Sequence, residues 1–101
     1  MSEKITKEKL NSANALINEH LCNFISDKFL RQPKNKEGLN VSQNVYASLV
    51  GLSSSTISKI KSSSGYDLPF STIYNICRHE KYSLKLLFQE FEEKYGENIP
   101  E

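Results

Sequence analysis

Gly51 stands between two serine-headed apolar segments, and this punctuation limits the possible folds more than any other feature of the chain. Ser42 has the side chain of a helix N-cap, with Val41 and Tyr46 at the two flanking places of a hydrophobic staple. The helix that follows carries Val45, Ala47, Leu49 and Val50 and ends at Gly51, where glycine supplies the left-handed residue of a sharp helix exit. Only Leu52 then precedes Ser53, a second N-cap, which heads a helix over Ser54–Lys61. Ile57 and Ile60, three apart, share its buried face, while Ser54, Ser55, Ser58, Lys59 and Ser62 fall on the other. Serine is an indifferent helix former, so packing must hold this second helix in place.

The flanking sequence is helical as well. Residues 1–9 form a charged lead with only Ile5 apolar, where fraying is expected. From Leu10, Ala13, Ile17, Leu21 and Phe24 recur at helical spacing, with Leu16, Ile25 and Phe29 widening the stripe, so one long helix should end near Arg31 before Pro33. Residues 34–38 read as an exposed loop and 62–65 as a break. Phe70-Ser71 opens a fourth helix with Ile73, Ile76 and Cys77 inward. Ser83 caps a fifth carrying Leu84, Leu87, Phe88, Phe91 and Tyr95, ahead of Gly96 and Pro100. The aromatic positions of this last helix either cover the end of the core or form a two-fold contact. The expected fold class is all-α with five helices and no sheet, as a single domain over 10–95 with a tail at 96–101.

Composition narrows the function. At 101 residues the chain has the size of one domain and can bury a core without staples. Cys22 and Cys77 lie 55 positions apart with no C-x-x-C pair, which argues against a zinc site or a disulfide scaffold. No apolar run reaches the ~18 residues of a membrane span, and the start MSEKITKEKL has no apolar h-region, so the expected compartment is the cytoplasm. His20 and His79 stand 59 positions apart without a catalytic motif around either, and Glu90, Glu92 and Glu93 read as a solvated face. An enzyme is not expected, and a Cys-His nucleophile would require Cys22 or Cys77 to react fast in the folded protein.

The segment SQNVYASLVGLSSSTISKIK, residues 42–61, resembles the helix-turn-helix of the phage-repressor and Cro-like regulators, the XRE family. The pattern is met by Gln43 at the start of its first helix, Ala47 facing the partner helix, Gly51-Leu52 in the turn, and Ile57 and Ile60 in the recognition helix. The run LPFSTIYNICRHEKYSLKLLF is similar to the family's fourth and fifth helices and extends the resemblance over residues 14–91. The resemblance implies a λ-repressor-like five-helix domain. It places base-reading side chains at Ser54, Ser55 and Lys59 and phosphate contacts at Gln43 and Ser53, with Ser58, Lys61 and Ser62 completing the DNA-binding set. Two departures stand out: Lys61 replaces an acidic residue common in relatives, and the reading face is nearly all serine. Without Gln, Asn or Arg readers, shape and water-mediated contacts would carry more of the specificity.

Charge distribution points the same way. The formal charge is only +1, but residues 27–65 carry +4, residues 66–101 carry −3 and residues 1–26 are neutral. A basic half bearing the recognition helix would orient the domain on a duplex. The expected function is therefore a sequence-specific double-stranded DNA-binding regulator of transcription, a repressor by its resemblance. It would act as a homodimer on half-sites about one helical turn (~34 Å) apart, with no cofactor implied. The alternative is an antitoxin-like or adaptor module that keeps the fold and binds a protein partner.

Overall fold

The computed structural model describes residues 6–62 and 65–98. Among these the chain is all-helical, with no strand and a single isolated antiparallel bridge between Lys34 and Asn40. The helices are α1 (Lys7–Ile25), α2 (Gln43–Val50), α3 (Ser54–Lys61), α4 (Phe70–Glu80) and α5 (Leu84–Tyr95). A π-helical segment, Ser26–Leu30, prolongs α1, and a 3-10 turn, Gly96–Asn98, follows α5.

Helix α1 begins three residues before the apolar period does. Thr6 is in extended conformation and its hydroxyl accepts from the Lys9 amide (3.2 Å), while Glu8 sits in the first turn, where the helix dipole favours an acid. The expected fraying of residues 1–9 therefore does not extend to Lys7–Lys9, and residues 1–5 lie outside the described ones. Leu10, placed in the stripe by its spacing, is 46% exposed. Residues 7–12, the first turns of α1, are exposed throughout, so the helix starts ahead of the part that packs on the core.

The π-helical segment explains how α1 ends. In an unbroken α-helix Leu30 would stand about 140° round the axis from Ile25. The wider turn brings Leu30 back to the core side, so Ile25, Phe29 and Leu30 are all buried while Lys28 is carried to the flank facing α5. There the Lys28 ammonium lies 4.6 Å from the Tyr82 ring centroid and 5.7 and 5.9 Å from those of Phe24 and Phe29, and pairs with Glu90 at 3.0 Å. The Tyr82 hydroxyl also donates to the same Glu90 oxygen. Glu90 is thus a partner across helices and not simply part of a solvated face.

The hydroxyl of Tyr82, then Lys28, hold the Glu90 carboxyl below its ordinary 4.5. A carboxyl lowered in the native state stabilises the fold above its unfolded value and loses that contribution as pH falls through the native one. The stability difference between the protein and E90Q, from urea unfolding, should therefore be full at neutral pH and fade below about pH 4.5. A difference that did not change with pH would show that the carboxylate charge plays no part.

The core runs from Leu21, Phe24 and Ile25 through Tyr46, Val50, Ile57 and Ile60 to Ile73, Ile76, Leu87 and Phe91. Cys22 and Cys77 are buried free thiols. Burial pushes both up from the ordinary range, with the Glu80 carboxylate adding to the rise at Cys77. The aromatic face of α5 packs within the chain: Phe91 lies edge-on to Phe24 (5.7 Å) and Tyr95 stacks on His20 (4.7 Å).

Two helices share one exit. Gly51 (φ 74) gives its amide to Ser48 and Leu52 gives its amide to Ala47, the paired bonds of a Schellman motif. After α4 the same pair forms from Lys81 to Arg78 and from Tyr82 to Cys77, with Lys81 itself at φ 54. A lysine there has a Cβ that the left-handed conformation penalises. Lys81→Gly should therefore stabilise the protein by about 1 kcal/mol, raising Tm by about 4–8 °C in calorimetry. An unchanged or lower Tm would show that the cap is not strained.

Candidate nucleic-acid interface

The surface is built by α2, the Gly51 turn and α3. Ser42 and Ser53 cap their helices as the sequence indicates, accepting from Val45 N (3.2 Å) and Thr56 N (3.1 Å). Ala47 is 2% exposed, and Ile57 and Ile60 are buried beneath α3. These three side chains fix how closely α3 lies on the body and which face it turns outward.

Outward lie Ser53, Ser55, Ser58, Lys59, Lys61 and Ser62, all exposed, with Ser54 and Gln43 half-buried at the edge. The fold thus gathers all eight residues expected in the binding set on one surface. Ser53 Oγ lies 3.0 Å from Ser55 Oγ and 2.9 Å from Thr56 Oγ1, so three hydroxyls cluster over the first turn of α3. The amides of that turn have no carbonyl within the helix to bond, and the dipole makes this end positive. Along the helix, Ser62 donates to the Lys59 carbonyl (2.8 Å), and the Lys59 ammonium lies 5.9 Å from the Tyr66 ring centroid. Of the expected break at 62–65, residues 63 and 64 lie outside the described ones.

Gln43, expected as a phosphate contact, also sits at the centre of a hydrogen-bond network within the chain. Its Nε2 donates to Ser58 Oγ (2.8 Å) and to the carbonyl and hydroxyl of Ser54 (both 3.1 Å), and its Oε1 accepts from Lys61 Nζ (3.1 Å). The side chain therefore bridges α2 and α3 and ties Lys61 to that seam. Sequence spacing gave no sign of this network, because its partners lie 11 to 18 positions away.

Thr56 and Tyr66 are two residues of this surface that lie outside the set of eight expected from the sequence. The signal for Thr56 is its place three after the Ser53 cap. For Tyr66, across the break, there was none.

Residues 33–41, whose 34–38 stretch reads in the sequence as an exposed loop, form an ordered hairpin. Asn35 Oδ1 accepts from the amides of Glu37 and Leu39 (both 3.0 Å), Gly38 takes φ 81, and Val41 N donates to Pro33 O (2.9 Å). The His79 ring lies with Nε2 2.9 Å from the Lys34 carbonyl and so donates there, anchoring the hairpin to α4.

Comparison of the chain with family models, curated proteins and solved structures found no match. No helix among the described residues is long and apolar enough to cross a membrane.

Proposed function

We propose that this chain is a cytoplasmic DNA-binding regulator of the phage-repressor type, in which α2 and α3 form a λ-repressor-like helix-turn-helix. The observation that carries this reading is the single outward face of α3. Ser55, Ser58 and Lys59 lie exposed on a short capped helix whose approach is fixed by Ala47, Ile57, Ile60 and the Gln43 bridge. The first turn of α3 approaches phosphates through Ser53 and its backbone amides. Lys59, with Ser54 and Ser55, reads base edges in the major groove, lysine suiting guanine O6 and N7. Lys61, Ser58 and Ser62 extend the contact along the strand, and Gln43 acts from behind by setting the pose of α3. A homodimer on half-sites about 34 Å apart belongs to the same reading.

The test is selection from a random duplex pool at several salt concentrations. Log affinity should fall with log salt by ~0.9 per phosphate contacted, with one sequence enriched. K59A should alter the ranking of sequences, whereas Q43A should weaken all of them by a similar factor. Equal loss on every duplex from both variants would sink this division of roles. A second reading, an adaptor or antitoxin-like subunit, draws on the exposed aromatics of α4, where Phe70 is 61% exposed beside Tyr74. Absence of duplex binding at low salt would leave that one standing.

A further inference from the structure

A second basic feature lies apart from the outer face of α3. A cleft of about 400 Å³ opens between the C-terminal turn of α2, the 33–41 hairpin and α4, lined among others by Lys36, Gly51, Asn75, Arg78 and His79. Among the described residues no carboxylate lines it.

Its arginine is held by neutral groups. The Arg78 guanidinium lies 4.7 Å from the Tyr74 ring centroid, and its Nη2 donates to Asn75 Oδ1 (3.1 Å). The ion pairs among the described residues, Lys28–Glu90 and Arg31–Asp27, involve no residue that lines the cleft. Lys36 rides on the hairpin that Asn35 folds and that His79 ties to α4, so its backbone is fixed relative to Arg78. An arginine fixed by a ring and an amide, with no acid beside it, keeps its planar fork available for two parallel hydrogen bonds. A lysine across the same cleft adds a second positive charge.

We propose that this cleft binds a phosphate group, with the Arg78 fork as the principal donor and Lys36 as the second cation. The inference is independent of the role assigned to α3. The phosphate could belong to a nucleic-acid backbone running past the Gly51 turn or to a small phosphorylated ligand, and the test separates the two.

Orthophosphate is titrated into the full ¹⁵N-labelled chain at constant ionic strength, following the Arg78 side-chain Nε–H and the Gly51 amide. Both signals should move saturably. R78K keeps the charge and loses the fork, so its affinity should fall about tenfold. K36Q/R78Q should abolish the saturable change. Linear drift that sodium chloride reproduces, or an R78K variant that binds as well as the parent, would overturn the proposal.

A duplex is then added to the phosphate-loaded protein. Displacement of phosphate with movement of the same two signals identifies a backbone phosphate. Unchanged phosphate affinity identifies a free ligand. If the duplex fails to bind at all, the regulator reading falls while the phosphate titration still decides this site.

Discussion

Reversing both lysines of α3, in K59E/K61E, should lower affinity for duplex DNA by about a hundredfold or more at low salt, since contacts of this kind contribute about 1–3 kcal/mol each. The salt dependence should flatten at the same time, because fewer counterions are released when fewer phosphates are neutralised. Both side chains are exposed, so the core beneath them at Ile57 and Ile60 is untouched. The local losses include the bond from Lys61 to Gln43 Oε1 and the approach of Lys59 to the Tyr66 ring, while Gln43 keeps its donations to Ser54 and Ser58. Thermal unfolding should therefore shift by only a few degrees, which separates lost binding from lost fold. A doubly reversed protein that binds as tightly as the parent would mean that α3 is not the face that meets DNA.

The largest effect on stability is expected at Tyr46. Its side chain is 0% exposed, its ring meets His79 edge to face at 5.2 Å, and its hydroxyl donates to Glu80 Oε2 at 2.7 Å. Burial, then the Glu80 carboxylate, push this hydroxyl far above the usual tyrosine range, so it remains a donor at any pH the protein meets. Tyr46→Ala should destabilise by about 3–5 kcal/mol, the range for deleting a buried aromatic ring. That is a large part of the 5–15 kcal/mol that holds a typical domain together.

Tyr46→Phe isolates the hydroxyl and should lose about 1.5 kcal/mol, the low end for a bond to a charged group, because Glu80 is half-buried and can be rehydrated. Urea unfolding of the two variants divides ring packing from the hydrogen bond. A Tyr46→Phe protein as stable as the parent would show that the bond between α2 and α4 contributes nothing. Because Tyr46 lies in α2, the alanine variant should also lose the fixed pose of α3, and with it duplex affinity.

The portion of the chain most legible in sequence was the stretch from Ser42 to Lys61. Caps, turn and helix limits there depend on residues within four positions of one another, and both serine caps and Gly51 act as their local chemistry indicates. The five-helix, all-α architecture was legible for the same reason, since an apolar period is a local property.

What escaped depends on distant partners or on the unexpected use of a residue. Glu90 looked solvated because Lys28 and Tyr82 reach it from other elements. The network around Gln43 was hidden because nothing in its neighbourhood announces Ser58 or Lys61. Lys81 occupies a conformation in which glycine is the usual signal, and Thr6 caps a helix ahead of any apolar period. The hairpin at 33–41 was missed because Asn35 closes it through its side chain, a device that composition alone reads as plain loop.

The wide turn at Ser26–Leu30 bears on which length changes this chain can tolerate. A π-turn fits one more residue into the turn than an α-helix does, so the burial of Leu30 depends on the residue count of this segment. Deleting a residue from the hairpin shortens a surface connection. Deleting one from 26–30 instead re-phases the end of the helix, turning Leu30 from the core and drawing Lys28 off Glu90 in a single step. Homologues that vary in length should do so at the hairpin and keep the count at 26–30 constant.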